Sequence, residues 1–293
     1  MWISDRWKDY ELIDASGGER LERWGDVILI RPDPQIIWNT PRNNPQWKKA
    51  NGVYRRRGGG GSWVVSNMPD SWSIRYGDYS FKIKPMGFKH TGIFPEQAVN
   101  WDWVSNVIRC AVSEGYRPNV LNLFAYTGGA TVACAAAGAS VCHVDASRGM
   151  VAAARENMFL SGLANAPCRY IVDDCRKFVE RELRRGKRYD GIIMDPPSFG
   201  RGPNGEVWKL EECAYELISL VADVMTDDPL FFLINSYTTG LSPATMGYML
   251  MSALGERGHS GVLETGETGL PVTSSALVLP SGASARWTSH RVR

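Results

Sequence analysis

The stretch Asn119–Ser147, NVLNLFAYTGGATVACAAAGASVCHVDAS, decides the fold of this chain. It opens with an apolar run of strand length, Val120–Phe124, which Thr127-Gly128-Gly129 interrupts with residues typical of tight turns. Small helix-forming residues follow from Ala130 to Ala137, and a second apolar run ends at Asp145. The order strand, turn, helix and strand predicts a βαβ unit.

A βαβ unit of this kind suits a nucleotide-like ligand. Its glycine turn lets the backbone approach the ligand beside a helix N-terminus, and an acid at the tip of the second strand accepts hydrogens from both ribose hydroxyls. Asp145 occupies that tip. The dinucleotide pattern G-x-G-x-x-G would require glycine at Gly128, Ala130 and Ala133, and only the first is glycine. This stretch alone therefore leaves the ligand open, and a plain βαβ unit with a solvated Asp145 is the alternative.

The composition is that of a soluble globular protein. The 293 residues are 44% hydrophobic and 22% charged, and the net charge of +2 gives no overall nucleic-acid signature. The six cysteines lack C-x-x-C spacing, which predicts buried thiols in a reducing cytoplasm and no metal site. With no run of 18 apolar residues and no charged-then-apolar leader, neither a membrane partner nor a signal peptide is predicted. The sequence indicates no oligomeric state.

A change in composition and hydrophobic pattern divides the chain into a small β-rich domain, residues 1–90, and an α/β domain, residues 91–293. Period-two patterns between turn residues predict five strands in the first domain: Tyr10–Asp14, Arg20–Trp24, Val27–Arg31, Gly61–Val65 and Ser80–Lys84. Tyr54-Arg55-Arg56-Arg57, followed by four glycines, predicts a mobile loop. Arginines near Trp47 and Trp63 suit a phosphate backbone and stacked bases, and a solvated charged loop is the alternative.

In the second domain, strands and helices alternate, which predicts a parallel sheet covered on both faces. Two late strands, Gly261–Glu264 and Ser275–Leu279, complete it. The earlier strands end in polar or small residues: Tyr126-Thr127-Gly128, Asp145, Asp173-Asp174, Asp195 and Asn235-Ser236. Because ligands bind outside the carboxyl ends of strands in such sheets, we expect these residues to converge on one crevice. For Asp173 and Asp174, capping of the following helix is a natural alternative.

The sharpest motif is Asp195-Pro196-Pro197-Ser198-Phe199. Two prolines directly after a buried strand fix the backbone and remove two hydrogen-bond donors. The chain must therefore leave the sheet in an extended conformation that presents carbonyl groups and the Asp195 carboxylate to the cleft.

Together, LNLFAYTGG, HVDAS, the Asp173-Asp174 pair and DPPSF resemble the class I S-adenosylmethionine-dependent methyltransferases. The resemblance is strongest to the branch containing large-subunit rRNA cytosine-C5 and guanine-N7 methyltransferases, and it covers about residues 85–290. It includes Thr91–Gln97, which is similar to that branch's segment G-[LFY]-[FY]-x-D-Q-R. The resemblance implies a Rossmann-like sheet with helices on both faces, and S-adenosylmethionine as cofactor.

The resemblance also implies site residues. The turn Tyr126–Gly129 would receive the methionine end of the cofactor, Asp145 the ribose, and Asp173 with Asp174 the adenine amino group. The implied cofactor-binding set is Phe94, Gln97, Phe124, Ala125, Tyr126, Thr127, Gly128, Gly129, Asp145, Ala146, Ser147, Asp173, Asp174 and Asp195. The implied catalytic set, where methyl donor meets acceptor, is Asp195, Pro196, Pro197, Ser198 and Phe199.

Two departures from the family pattern bear on the reaction. Glu96-Gln97-Ala98 stands where the branch has Asp-Gln-Arg, which removes one cationic contact. Methylation of cytosine carbon 5 uses a cysteine, which in this branch tends to follow the next strand, and here Asn235–Thr238 contains none. We therefore expect transfer to an RNA base, most simply in rRNA, at an already nucleophilic atom and without a cysteine adduct. Cys175, at a helix start after Asp174, is the one thiol that warrants a test.

Two other functions are compatible with parts of the pattern. A nicotinamide-dependent oxidoreductase would use Asp145 equally well, although DPPSF and the missing glycines disfavour it. An RNA-binding protein that keeps the cofactor fold without turnover is the second alternative. The arginines and aromatic residues of the first domain favour RNA as the substrate over a small molecule or a protein.

Overall fold

The computed structural model describes residues 1–57, 60–201, 207–238 and 240–290, with only the backbone of Arg201. The chain forms two compact units: Met1–Val99 with Thr268–Ser281, and Asn100–Glu267 with Gly282–Arg293. These units differ from the predicted ranges 1–90 and 91–293 in two respects. The first unit continues to Val99, and it includes a late segment of the chain that no local pattern assigns to it.

The first unit is mainly β-structure. Its strands are β1 (Trp2–Ile3), β2 (Tyr10–Ser16), β3 (Glu19–Trp24), β4 (Val27–Pro32), β5 (Gly52–Arg57), β6 (Gly60–Val65), β7 (Trp72–Tyr76) and β8 (Tyr79–Ile83), with short 3-10 helices at Pro45–Lys48 and Pro95–Gln97. Strands β2 to β6 are neighbours in chain order, and β7 and β8 form a separate two-stranded sheet. Ile13, Leu21 and Ile30 form a small apolar core of this unit.

The arginine segment of the first unit is a strand, so the prediction of a mobile loop at Tyr54–Arg57 is wrong. Arg55, Arg56 and Arg57 belong to β5 and pair in antiparallel register with the glycine-rich strand β6. Gly58 and Gly59 lie outside the described residues. The local pattern missed this strand because charged residues and glycine are both depleted in β-structure, and here pairing with β6 overrides that preference.

The second unit alternates strands and helices. Its elements are α1 (Ala98–Ser113, whose first two residues belong to the first unit), β9 (Asn119–Leu123), α2 (Gly129–Ala136), β10 (Ser140–Asp145), α3 (Arg148–Leu160), β11 (Cys168–Val172), α4 (Cys175–Arg184), β12 (Gly191–Met194), β13 (Phe199–Arg201), β14 (Val207–Lys209), α5 (Leu210–Ala222), β15 (Phe231–Ser236) and α6 (Pro243–Gly255). Strands β16 (Gly261–Val272) and β17 (Leu277–Ser289) contribute residues to both units.

The strand order in the second unit is β11-β10-β9-β12-β15-β17. The first five strands are parallel, and β17 runs antiparallel to β15. The predicted parallel sheet is thus confirmed except at β17, and the late strands are much longer than predicted. From β9 the chain moves to one side through β10, and from β12 it moves to the other side through β15. This reversal is the switch point at which such sheets bind ligands.

Alternate side chains of the central strands face opposite layers of helices. Leu121 and Leu123 of β9 pack into an apolar core with residues of α4, α5 and α6. On the other face, Asn122 donates a hydrogen bond to Thr131 of α2 at 3.0 Å. Helices therefore cover both faces, as predicted. Among the described residues, no helix is long and apolar enough to cross a membrane.

Candidate active site

The turn after β9 has a strained backbone. Phe124 and Tyr126 have φ angles of 55° and 50°, in the left-handed region that residues other than glycine rarely adopt. Ala125 between them donates its N–H to the Val144 carbonyl at 3.0 Å, and the Gly128 N–H closes the turn on the Ala125 carbonyl at 2.9 Å. Strain of this kind persists where the surrounding structure holds it, and it clusters at ligand sites.

The two glycines of the turn are required by helix packing. Gly128 has a φ of 81° at the N-cap of α2, and a Cβ there would lie 2.8 Å from the Ala154 Cβ. A Cβ at Gly129 would lie 2.5 Å from the Trp101 ring. The sequence pattern explained these glycines by ligand approach, whereas in the structure they let α2 pack closely against α3 and α1.

Asp145, at the end of β10, is held by backbone donors. One carboxylate oxygen accepts the Tyr126 N–H at 2.9 Å and the other accepts the Ser147 N–H at 2.8 Å. Burial raises the pKa of Asp145, and these two N–H groups oppose the rise. Ala146 and Ser147 are exposed, and the Ser147 hydroxyl caps α3 by accepting the Met150 N–H. Asp145 thus joins the strained turn to the tip of β10.

The acidic pair after β11 makes local hydrogen bonds. Asp174 is exposed and caps α4, where its side chain accepts the Lys177 N–H at 2.9 Å. Asp173 accepts the Asp174 N–H at 2.9 Å and forms an ion pair with Arg181. The capping alternative therefore applies to Asp174, and contact of the pair with adenine remains a prediction.

Asp195 leaves the sheet directly after β12. Its Oδ1 accepts a hydrogen bond from the Asn235 side-chain amide of β15 at 2.9 Å. Pro196 is buried and Pro197 is exposed, so the chain turns outward between them. The adjacent strand thus fixes the carboxylate at the carboxyl edge of the sheet.

The rest of the motif is also tied to neighbouring segments. The Thr238 hydroxyl donates to the Ser198 hydroxyl at 2.8 Å, and the Trp208 indole N–H donates to the Pro197 carbonyl at 2.7 Å. Phe199, the first residue of β13, is 55% exposed. An aromatic ring presented to solvent beside a fixed carboxylate can stack on a planar ligand.

The fold brings most of the predicted residues to one edge of the sheet. Because β9 lies between β10 and β12, the turn after β9 has Asp145 on one side and Asp195 on the other. The ring of Trp208, which supports the proline loop, lies 6.2 Å from the Phe124 ring. Phe94 and Gln97 belong to the first unit, at the short 3-10 helix, and their closing role remains a prediction.

Two side chains form hydrogen bonds to the turn that no pattern in the sequence predicts. The Asn157 amide of α3 donates to the Thr127 carbonyl at 2.8 Å and is almost fully buried. Cys175 is 3% exposed, and its sulfur accepts the Phe124 N–H at 3.3 Å. Burial raises the pKa of the Cys175 thiol well above its usual range, with nearby Asp145 also contributing. This thiol therefore stabilises the turn and is a poor nucleophile.

The arrangement fits S-adenosylmethionine. Each Asp145 oxygen that accepts one N–H keeps a lone pair for a ribose hydroxyl. The backbone at the N-terminus of α2 favours the carboxylate of the methionine end. Aromatic rings at Phe124 and Tyr126, together with Asp145 and Asp195, suit a sulfonium cation.

Comparisons with known proteins show which proteins this chain resembles. A crystal structure of an S-adenosylmethionine-dependent methyltransferase from Agrobacterium tumefaciens is 34% identical, with a TM-score of 0.90, and the match covers 98% of this chain and 92% of that one. Ribosomal RNA large subunit methyltransferase K/L of Shewanella frigidimarina is 33% identical over 47% of this chain. A putative ribosomal RNA large subunit methyltransferase of Methanocaldococcus jannaschii is 31% identical over 53%.

These two curated relatives are longer proteins, of which the matched regions span 18% and 39%. The comparisons give no support to the oxidoreductase alternative. A family model described as S-adenosylmethionine-dependent methyltransferase matches residues 44–212, more than half of the chain. The chain therefore belongs to the S-adenosylmethionine-dependent methyltransferase family.

Proposed function

We propose that this enzyme methylates a base of large-subunit ribosomal RNA at an atom that is already nucleophilic. The observation that carries the proposal is the fixed Asp195 carboxylate, followed four residues later by the exposed Phe199 ring, at the sheet edge that also holds the strained turn. The names of the two curated relatives support RNA as the acceptor.

Each part of the site has a distinct task in this proposal. The cofactor supplies a methyl carbon on positively charged sulfur, which is open to in-line displacement. Asp145 holds the ribose, the turn Tyr126–Gly129 holds the methionine end, and Asp173 with Asp174 accepts from the adenine amino group. Alignment of the acceptor atom with the methyl carbon is the main requirement, so the protein needs no catalytic triad.

The acceptor side of the site suits an extruded base. Phe199 offers an aromatic face for stacking, as in enzymes that act on flipped bases. Asp195 accepts hydrogen bonds and thereby orients a base that presents an N–H or amino group. The prolines keep this loop extended, and the bond from Thr238 to Ser198 limits its movement.

Transfer without a cysteine adduct is part of the proposal. Cys175, whose sulfur accepts a hydrogen bond from the turn, is buried, and burial raises the pKa of its thiol. At the tip of β15, Ser236 is buried and its hydroxyl accepts the Thr238 N–H at 3.0 Å. A serine is far less nucleophilic than a thiolate at neutral pH, so a nitrogen acceptor is favoured over cytosine carbon 5.

The first unit is proposed to contact the RNA backbone. Arg55, Arg56 and Arg57 of β5 are all exposed. Residues 45–90 contain nine basic side chains and only two acidic ones, Asp70 and Asp78; the basic residues are Lys48, Lys49, Arg55, Arg56, Arg57, Arg75, Lys82, Lys84 and Lys89. A local excess of positive charge of this kind favours phosphate groups. All six cysteines are free thiols, which suits the cytoplasm, where we place the enzyme.

The test is a transfer assay with cofactor labelled on the methyl group. Large-subunit rRNA transcribed in vitro, and therefore unmodified, should become labelled, whereas small-subunit rRNA serves as the matched control. Equal labelling of both RNAs, or of neither, would contradict the proposed substrate. RNA that binds without becoming labelled would point to the non-catalytic alternative.

The cysteine-free route is tested separately. RNA carrying 5-fluorocytosine should form no stable covalent complex with the enzyme. A complex that forms in the wild type and is lost in Cys175→Ser would instead support methylation of cytosine carbon 5 through a Cys175 adduct.

A further inference from the structure

A chain of buried side chains connects Arg286 to Asp195. The Arg286 guanidinium donates from Nε and Nη2 to Asn100 Oδ1 at 3.0 and 2.7 Å. The Asn100 amide donates to the Ser284 hydroxyl at 3.2 Å, and that hydroxyl donates to Asn235 Oδ1 at 2.8 Å. Asn235 in turn donates to Asp195 Oδ1 at 2.9 Å. The four side chains before Asp195 are each at most 4% exposed.

The antiparallel strand β17 makes this connection possible. It places Ser284 directly opposite Asn235 of β15, and Arg286 lies two residues further along the same strand. Residues two apart on a strand face the same side of the sheet. Asn100, near the start of α1, spans the gap between Arg286 and Ser284.

Arg286, the cation at one end of this series of hydrogen bonds, determines the direction of each of them. A guanidinium can only donate, so Asn100 must turn its oxygen to Arg286 and its NH2 group to Ser284. The serine hydroxyl then has its one proton for the Asn235 oxygen, which leaves the Asn235 NH2 group for Asp195. The Asp195 oxygen that meets this NH2 group must therefore act as an acceptor.

We propose that Arg286, Asn100, Ser284 and Asn235 are positioning residues for methyl transfer, which hold the Asp195 side chain in one orientation. They are called the relay below. This inference rests on the proposed function, in which Asp195 lines the acceptor pocket. The relay explains why a charged side chain is retained in the interior at this position.

The burial of Arg286 supports a specific role for the relay. Burial lowers the pKa of Arg286 to about 10, while Glu264 acts in the opposite direction, so the guanidinium is still charged at neutral pH. Its carbon also lies 5.4 Å from the centre of the Trp103 ring. Keeping a buried guanidinium charged has a free-energy cost, which oriented hydrogen bonds and a polarised chain ending at a carboxylate partly offset.

The central link is the Ser284 hydroxyl, and Ser284→Ala removes it without adding volume. Asn100 and Asn235 would each lose a partner, and Asp195 would no longer be held by an oriented amide. Ser289→Ala is the matched control, since Ser289 lies on the same strand and its buried hydroxyl has no hydrogen-bond partner among the described residues.

The measurement compares turnover with cofactor binding in purified full-length variants. For Ser284→Ala we expect kcat on unmodified large-subunit rRNA to fall about 10- to 100-fold, the scale of losing one or two buried hydrogen bonds. The Kd for S-adenosylmethionine, from calorimetry, should change less than about twofold, because Asp145 and the turn are untouched. Ser289→Ala should match the wild type. Arg286→Lys, which keeps a cationic donor, should retain more activity than Arg286→Met.

Three results would overturn the relay: Ser284→Ala as active as Ser289→Ala, parallel loss of kcat and cofactor affinity, or equal activity of Arg286→Lys and Arg286→Met. If the wild type labels no RNA, the proposed function fails and the relay is judged by nuclear magnetic resonance alone. The Asn235 side-chain NH2 signals, assigned by their absence in Asn235→Leu, should exchange slowly with water. Exchange that is as slow in Ser284→Ala as in the wild type would then refute the relay.

Discussion

Replacing Asp145 by asparagine tests the cofactor site with the smallest change in shape. In the wild type, both carboxylate oxygens accept a backbone N–H, from Tyr126 and from Ser147. The asparagine NH2 group must face one of these N–H donors, since only one of its two terminal atoms is an acceptor. The variant thus loses a hydrogen bond to the turn and an acceptor for a ribose hydroxyl.

The expected magnitude follows from those two losses. A buried donor or acceptor left without its partner costs about 1–3 kcal/mol, which corresponds to a Kd for S-adenosylmethionine that is roughly 5- to 150-fold higher. Titration calorimetry at neutral pH measures this change directly. A melting temperature recorded on the same samples separates loss of affinity from loss of folding.

The matched control is Asp223→Asn, which removes a half-buried carboxylate paired with Arg257 at the end of α5. Asp223 makes no hydrogen bond to Asp145 or to the turn among the described residues, so the cofactor affinity of this variant should remain within about twofold of the wild type. Wild-type affinity in Asp145→Asn, with the control behaving as expected, would refute the assignment of Asp145 to the ribose.

Other variants probe the acceptor pocket, the RNA surface and the first unit. Asp195→Ala should lower kcat far more than it weakens cofactor binding, and equal losses would make Asp195 a cofactor ligand only. Alanine at Arg55, Arg56 and Arg57 together should weaken rRNA binding and flatten its dependence on salt, with cofactor affinity unchanged; an unaltered salt slope would argue against phosphate contact. Glu22→Gln should cost about 3–5 kcal/mol in urea unfolding because it leaves the buried Arg31 charge without an opposite charge and without one of its two acceptor oxygens, and a cost below about 1 kcal/mol would contradict this.

The Glu22 pair also has a pH signature. Burial raises the pKa of Glu22, but the charge of the Arg31 guanidinium and its hydrogen bonds lower that pKa by a larger amount, so the net shift is downward. A carboxyl with a lowered folded-state pKa stabilises the fold above its unfolded pKa. This stabilisation is lost as the pH falls through the folded-state value, and Glu22→Gln should therefore flatten the acid limb of the stability curve.

Elements with strong local signals were predictable from the sequence. The βαβ unit and the acids at the strand tips follow from the hydrophobic period and the chain order, and the structure places Asp145 and Asp195 at one edge of the sheet. The left-handed conformations of Phe124 and Tyr126 were not predictable, because partners distant in sequence hold them: Cys175 accepts the Phe124 N–H and Asp145 accepts the Tyr126 N–H.

The antiparallel strand β17 shows the same limit at the level of the sheet. The sequence predicted only a short strand at Ser275–Leu279, whereas β17 runs from Leu277 to Ser289. Its small and polar residues, including Ser284, lack an obvious strand pattern, and pairing with β15 supplies the stability. The contacts that side chains of this strand make with the site therefore cannot be predicted from the local sequence.

The binding mode of the cofactor is decided by a crystal structure of the protein with S-adenosylhomocysteine, the demethylated product. We predict both ribose hydroxyls on the Asp145 carboxylate, the homocysteine end against Tyr126–Gly129, and the sulfur directed toward the Asp195 loop. Binding of the product elsewhere in the molecule, or with its ribose away from Asp145, would show that the proposed cofactor site is wrong.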